Sequence, residues 1–209
     1  MVFTSKNGDV WGGQQPRAAR QIASHLEKIP AEKYVEPFLG HGMVYRSLRR
    51  HAPKEILSDL SCKQVRYVKG KLCGTKDQTK CHILRKAKPT CGRDWKDFLK
   101  HDSPKTLTYL DPPYQGSNIN MYKDKDVPLQ EIAEKARSLI GSVAVSYSNN
   151  PRSRALLCRK PFRCHLVHKN LNANHFTELL AVKKAGRAVG GQRQRNGLDE
   201  VDTIRLTIN

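Results

Sequence analysis

The sequence predicts one α/β domain built on a Rossmann-like sheet with helices on both faces. Three stretches predict it. Residues 33–42, KYVEPFLGHG, read as a strand running into a G-x-G turn, and residues 43–51 continue with helical character. Residues 55–59, EILSD, read as a second strand ending in an acid about twenty residues after the glycines. Residues 106–114, TLTYLDPPY, read as a buried strand that stops at Asp111 and is broken by two prolines. The first two stretches together have the layout of a nucleotide-binding βα unit.

The amino terminus places Trp11, Gly12, Gly13, Gln14 and Gln15 ahead of Pro16. Pro16 suits the first turn of an amphipathic helix over residues 17–28, with Ala19, Ile22, Ala23 and Leu26 on one side. The paired glycines let backbone approach a ligand, and the N–H groups at the helix start could meet a carboxylate. A plain loop capping a surface helix fits the same residues.

Glu36 stands where an acid at the first strand's end could hold an ammonium group, and Phe38 could wall a cleft. Asp59 holds the place of a ribose-binding carboxylate. Residues 61–105 read as irregular and basic, including Lys63, Arg66, Lys69, Lys71, Lys76, Lys80, Arg85, Lys86 and Lys88. They suit either a solvated connection or a surface touching phosphates. Asp94 precedes a short helical stretch and is a third acid near the cleft.

In the third stretch Pro112 and Pro113 have no N–H groups and a fixed φ, so the turn is stiff and its carbonyls face outward. Tyr114 adds a flat ring. A ring beside a carboxylate and a carbonyl suits a planar base bearing an exocyclic amine. An ordinary Pro-Pro turn with a solvated Asp is the plain alternative.

Residues 115–127 are polar, with Asn118, Asn120, Tyr122, Lys123 and Lys125, and their length suits a lid or substrate contact. A helix over 128–140, a strand over 142–147, a helix over 151–158 and strands over 163–168 and 178–183 follow. Lys183, Lys184, Arg187, Arg193 and Arg195 then lie among three glycines, which predicts a flexible basic loop over 184–196. Residues 201–208 alternate weakly, as a last strand returning to the sheet would.

The chain has 209 residues, enough for one domain with a substantial core. Its 38 Lys and Arg against 19 Asp and Glu give a net charge of +19, which favours a polyanionic partner, nucleic acid first. No long apolar run, secretory h-region or lipidation signal is read, so the chain is expected to be soluble and not secreted. Its six cysteines are therefore read as reduced thiols. Four of them, from Cys62 to Cys91, with His82 beside Cys81, are possible zinc ligands, but no pair has C-x-x-C spacing, so scattered thiols are the preferred reading and no metal ligand is assigned.

The Gly-Gly segment before a helix, EPFLGHG, LSD, the acid of GRDW, and LDPPY together resemble the ordered motifs of the Dam-type (D12 class) adenine-N6 DNA methyltransferases. The resemblance covers about residues 11–183, and EPFLGHG and DPPY in this order are its specific part. It implies an S-adenosylmethionine-dependent methyltransferase with S-adenosylhomocysteine as product. Trp11, Gly12, Gly13, Gln14, Glu36, Pro37, Phe38, Gly40, Gly42, Asp59, Asp94 and Asp111 would surround the cofactor. Asp111, Pro112, Pro113 and Tyr114 would hold a flipped adenine. Residues 172–180, NANHFTELL, are similar to the segment before the family's last strand.

Two departures stand out. Gln14 occupies the place of the family's lysine, so a carboxylate contact there is weaker or passes to Arg17. The interval between Asp59 and Asp94 is too short for the family's helical recognition domain, leaving a reduced basic insertion at about 61–93 within a single domain spanning 1–209. Lys80, Arg85, Lys86, Lys88, Lys123, Lys183, Lys184 and Arg187 are then the expected DNA phosphate contacts, and a partner subunit or a homodimer could supply further target recognition. The expected location is wherever DNA is present inside a cell, in a prokaryote's cytoplasm or as a virus-encoded protein. An RNA adenine or guanine methyltransferase of the same fold, or a catalytically dead basic nucleic-acid-binding protein, is the alternative.

Overall fold

The computed structural model describes residues 3–4, 10–11, 16–73, 86–114, 127–168 and 177–186. Seven strands form one sheet: β1 Lys33–Glu36, β2 Lys54–Asp59, β3 Thr90–Cys91, β4 Thr106–Leu110, β5 Ser142–Ser148, β6 Arg163–His168 and β7 Thr177–Lys183. Their order is β3-β2-β1-β4-β5-β7-β6. The first five pair in parallel, whereas β7 runs antiparallel to both β5 and β6. The carboxyl ends of β1, β2, β4 and β5 therefore share one edge, where ligands of open α/β sheets bind. A separate two-stranded ladder pairs Phe3–Thr4 with Val10–Trp11.

Helices cover both faces, as parallel strands require. All five residues of β4 are buried, as expected of a central strand. On one face Leu107 and Tyr109 join Tyr34, Leu57, Ala144 and Leu180 under α1 (Pro16–Leu26), α2 (Met43–Ser47) and α3 (Cys62–Cys73). On the other, Leu110, Val143, Val145, Leu179 and Ala181 meet α4 (Leu129–Ser138), α5 (Pro151–Leu157) and Trp95 of a 3₁₀ helix, Trp95–His101. The stripe Ala18, Ala19, Ile22, Ala23 and Leu26 is buried along α1, and Leu129, Ile132, Ala133 and Ala136 along α4. Asn150 and Ser153 form a reciprocal capping box at the start of α5.

The structure corrects three expectations. The described residues 61–73 and 86–105 are not irregular: α3 opens them, with Gln64, Val65 and Val68 buried and Lys63, Arg66 and Lys69 turned outward, and β3 completes the sheet edge, while residues 74–85 lie outside the described residues. Residues 62–73 are thus the helix that crosses from β2 to β3. Lys183 is not on a cationic loop. It is 7% exposed, pairs with Val143 at the amino-terminal start of β5, and donates from Nζ to the carbonyl oxygens of Arg137, at 3.0 Å, and Leu139. It caps carbonyls left at the end of α4, at the sheet edge opposite the glycine turn. Burial lowers its pKa, partly opposed by Asp102.

The cysteines are the third correction. Cys62 is bonded to Cys91 and Cys158 to Cys164, Cys73 is also in a disulfide, and no described cysteine is free. Pairing of β2 with β3 brings the start of α3 beside Cys91, a proximity that a sequence separation of 29 does not reveal. No described helix is long and apolar enough to cross a membrane.

Candidate active site

The site is assembled at the carboxyl edge of the sheet. After β1 the chain turns through Gly40 and Gly42, whose φ angles of 50° and 62° are the left-handed region that glycine enters without strain. The end of β2 holds this turn. The Leu39 amide donates to the Ser58 carbonyl at 2.8 Å, and the Gly40 amide donates to Asp59 Oδ2 at 2.7 Å. Asp59 Oδ1 accepts from the Ser61 amide at 2.8 Å. Burial raises the Asp59 pKa, and these two amide bonds pull it back down.

Glu36, 2% exposed, ends β1 beside it and accepts a hydrogen bond from the Tyr34 hydroxyl at 2.7 Å. Burial raises its pKa well above the carboxylate range. The Tyr34 bond opposes that rise, and the charges of Asp111, Glu55 and Asp59 add to it. Three neighbouring strands thus aim acids at one space.

Phe38, which follows Glu36 and Pro37, lies 5.7 Å from Trp95 between ring centroids, forming an aromatic wall. Asp94, just before that tryptophan, is exposed and accepts from the Lys96 amide at 2.9 Å, so it caps the 3₁₀ helix. His41, between the two glycines, packs its ring 4.9 Å from Tyr67 of α3.

At the end of β4, Asp111 Oδ1 accepts a hydrogen bond from Ser146 Oγ of β5 at 2.7 Å. The Tyr109 hydroxyl lies 2.8 Å from the same Ser146 oxygen. Pro112 is buried, and Pro113 and Tyr114 are partly buried. The Tyr114 ring sits 4.8 Å from Tyr147, tilted by 49°. Glu178 of β7, fully buried, adds a further acid, since its charge and those of Asp111 and Glu36 bear on Tyr109.

Glu36, Pro37, Phe38, Gly40, Gly42, Asp59 and the residues from Asp111 to Tyr114 are thus gathered on one edge. Lys86 and Lys88 are exposed close to β3, and Lys184 is exposed at the opposite edge beside Lys183. Gly12, Gly13, Gln14, Lys80, Arg85, Lys123 and Arg187 lie outside the described residues, as do the Trp11 side chain, residues 115–126, residues 172–176 and the strand expected over 201–208. Ser146, Tyr109, Tyr147 and Glu178 were not singled out by the sequence, because only the pairing of β4, β5 and β7 brings them to Asp111.

The donor set fits S-adenosylmethionine on three observations. A Cβ built on Gly40 would meet nothing within 4 Å among the described residues, which leave space over the turn. The acids bordering that space suit a sulfonium and an ammonium group. Arg17 Nη1, at the start of α1, is buried and has no hydrogen-bond partner among the described residues. Gln21, one turn further along, bonds the His168 carbonyl at 2.9 Å at the carboxyl end of β6, which places Arg17 at the same sheet edge. A ligand carboxylate there would satisfy it.

No family model matches the chain, and no curated protein matches it by sequence. Solved structures do. An S-adenosylmethionine-dependent O-methyltransferase from Thermotoga maritima superposes with a TM-score of 0.54 at 15% identity, over 84% of this chain and 68% of that one. An rRNA methylase from Streptococcus thermophilus does so with a TM-score of 0.50 at 13% identity, over 81% of this chain and 98% of that one. The likeness establishes a Rossmann-like α/β fold, which these methyltransferases share.

Proposed function

We propose that the chain transfers a methyl group from S-adenosylmethionine to the N6 amine of adenine in DNA, as the Dam-type motifs imply. The observation that carries this reading is the placement of Asp111, Pro112, Pro113 and Tyr114 at the end of β4, beside the glycine turn and the acids Glu36 and Asp59. The fold's likeness to methyltransferases supports the cofactor. Gly40, Gly42, Glu36, Asp59 and Arg17 would hold it, with Phe38 and Trp95 as a wall. When bound, it supplies an electrophilic methyl group on a sulfonium.

Adenine N6 is a poor nucleophile because its lone pair is delocalised into the ring. Asp111 and the Pro112 carbonyl would accept the two N6 hydrogens, localising the lone pair and aligning it for in-line displacement. Tyr114, backed by Tyr147, would stack on a base flipped from the duplex. The net charge of +19 supports a nucleic-acid substrate.

Radiolabelled methyl transfer to DNA and to RNA, followed by nucleoside analysis, tests the reading. N6-methyladenine in DNA supports it. Label confined to RNA, or no transfer to either, replaces it with one of the two alternatives.

A further inference from the structure

We propose that Ser146 is a positioning residue that keeps Asp111 an anionic, fixed acceptor, and that Tyr109 locks the direction of its hydroxyl. This rests on the reading of Asp111 as the amine acceptor. Ser146 and Tyr109 are both fully buried, so no solvent competes for their hydroxyls. The parallel register of Leu110 with Val145 brings Ser146 opposite Asp111. A serine hydroxyl carries a single proton. An ionised carboxylate only accepts, so that proton goes to Asp111 Oδ1 at 2.7 Å. The 2.8 Å contact to Tyr109 must then be made by the phenol donating to Ser146. The chain of donors runs one way, from Tyr109 to Ser146 to Asp111. It starts at a phenol inside the core, so it orients a charge and is no route for a proton to solvent.

The surroundings make this orientation necessary. Glu36 of β1 and Glu178 of β7 face the same space as Asp111 and Tyr109 of β4, and Asp59 of β2 lies beside Glu36. Crowded acids in a buried site compete for protons, and although Glu36 is the one whose pKa is raised well above the usual value, the remaining acids still favour a proton on Asp111. A protonated Asp111 would carry a hydrogen where it must accept one, and the amine would lose its alignment. The Ser146 hydroxyl is bonded to the charged form and opposes that protonation.

Ser146→Ala and the near-isosteric Tyr109→Phe, both checked for folding by thermal melting, provide the test. Carboxyl-carbon NMR titration of the chain alone, with the Asp111 signal identified by its loss in Asp111→Asn, should show the midpoint rising by about one to two units in Ser146→Ala. The rise should be smaller in Tyr109→Phe, which keeps the serine proton. In methyl transfer the acidic limb of the kcat profile should move up by the same amount. Above that limb kcat should still fall, by up to about a hundredfold, with KM for S-adenosylmethionine unchanged. An unmoved titration midpoint and limb in folded Ser146→Ala overturn the proposal. A moved midpoint in a protein that methylates no amine keeps the role of Ser146 and removes the adenine reading.

Discussion

Oδ2 of Asp59 accepts a hydrogen bond from the Gly40 amide at 2.7 Å, so the last residue of one strand fixes the turn that follows its neighbour. The carboxylate therefore has two tasks, holding the turn and, in the proposed reading, holding the cofactor ribose. Asp59→Ala should lower the unfolding free energy by about 1–3 kcal/mol, read by urea denaturation. It should also weaken S-adenosylmethionine by about 1.5–3 kcal/mol, read by calorimetry. Asp59→Asn, whose amide oxygen still faces Gly40, should retain more of the stability. An unchanged affinity in the folded variant moves the ribose contact elsewhere.

The two glycines of the turn should respond differently to alanine. Both have positive φ, so each substitution costs about 1–2 kcal/mol in backbone strain. At Gly42 the new methyl would also lie 3.2 Å from Val68 Cγ1, whereas at Gly40 it would meet no described residue within 4 Å. Gly42→Ala should be the more destabilising of the pair. Gly40→Ala should cost more cofactor affinity, because its methyl enters the space over the turn. Equal melting temperatures for the two would contradict the packing at Gly42.

Glu36 makes stability depend on pH. Its folded pKa is raised well above 4.5 by burial, so above that pH the unfolded chain has released a proton that Glu36 still holds. The native state then binds more protons, and stability falls as pH rises from about 4.5 toward the raised pKa. Asp59 is shifted the same way and adds to the slope. The partly buried histidines His25, His41 and His101, whose pKa values are lowered, act in the opposite direction, so the Glu36 contribution is read as a difference: above about pH 4.5 the urea midpoint of Glu36→Gln should fall less, or rise more, with pH than that of the unaltered chain. Parallel courses would mean that Glu36 is ionised in the folded chain.

Arg17 should recognise the cofactor's carboxylate, since its buried Nη1 has no hydrogen-bond partner among the described residues. Arg17→Ala should weaken S-adenosylmethionine by about 1.5–3 kcal/mol in calorimetry. It should leave decarboxylated S-adenosylmethionine unaffected. An equal loss for both ligands would assign Arg17 a structural role.

Local order was legible in the sequence where one segment carries the signal alone. The run from Thr106 to Leu110 is continuously β-forming and is a strand, Asp111 follows it, and Gly40 and Gly42 mark a real turn. What depends on strand order was not legible. Ser146 lies 35 residues from Asp111, and no periodicity indicates that β5 sits beside β4. Charge misled twice. Lysines and arginines hid the buried side of α3, and Lys183, read with the basic residues after it, belongs to the buried end of β7.

In the proposed function Asp111 aligns the amine, while the surface charge binds the nucleic acid. Methyl transfer to duplex DNA by Asp111→Ala, measured beside its DNA affinity in the same buffer, tests this most directly. Methylation should be abolished while most of the affinity remains, with Asp111→Asn retaining more activity than alanine because its amide oxygen still accepts one hydrogen bond. Near-normal turnover in folded Asp111→Ala would contradict that role of Asp111.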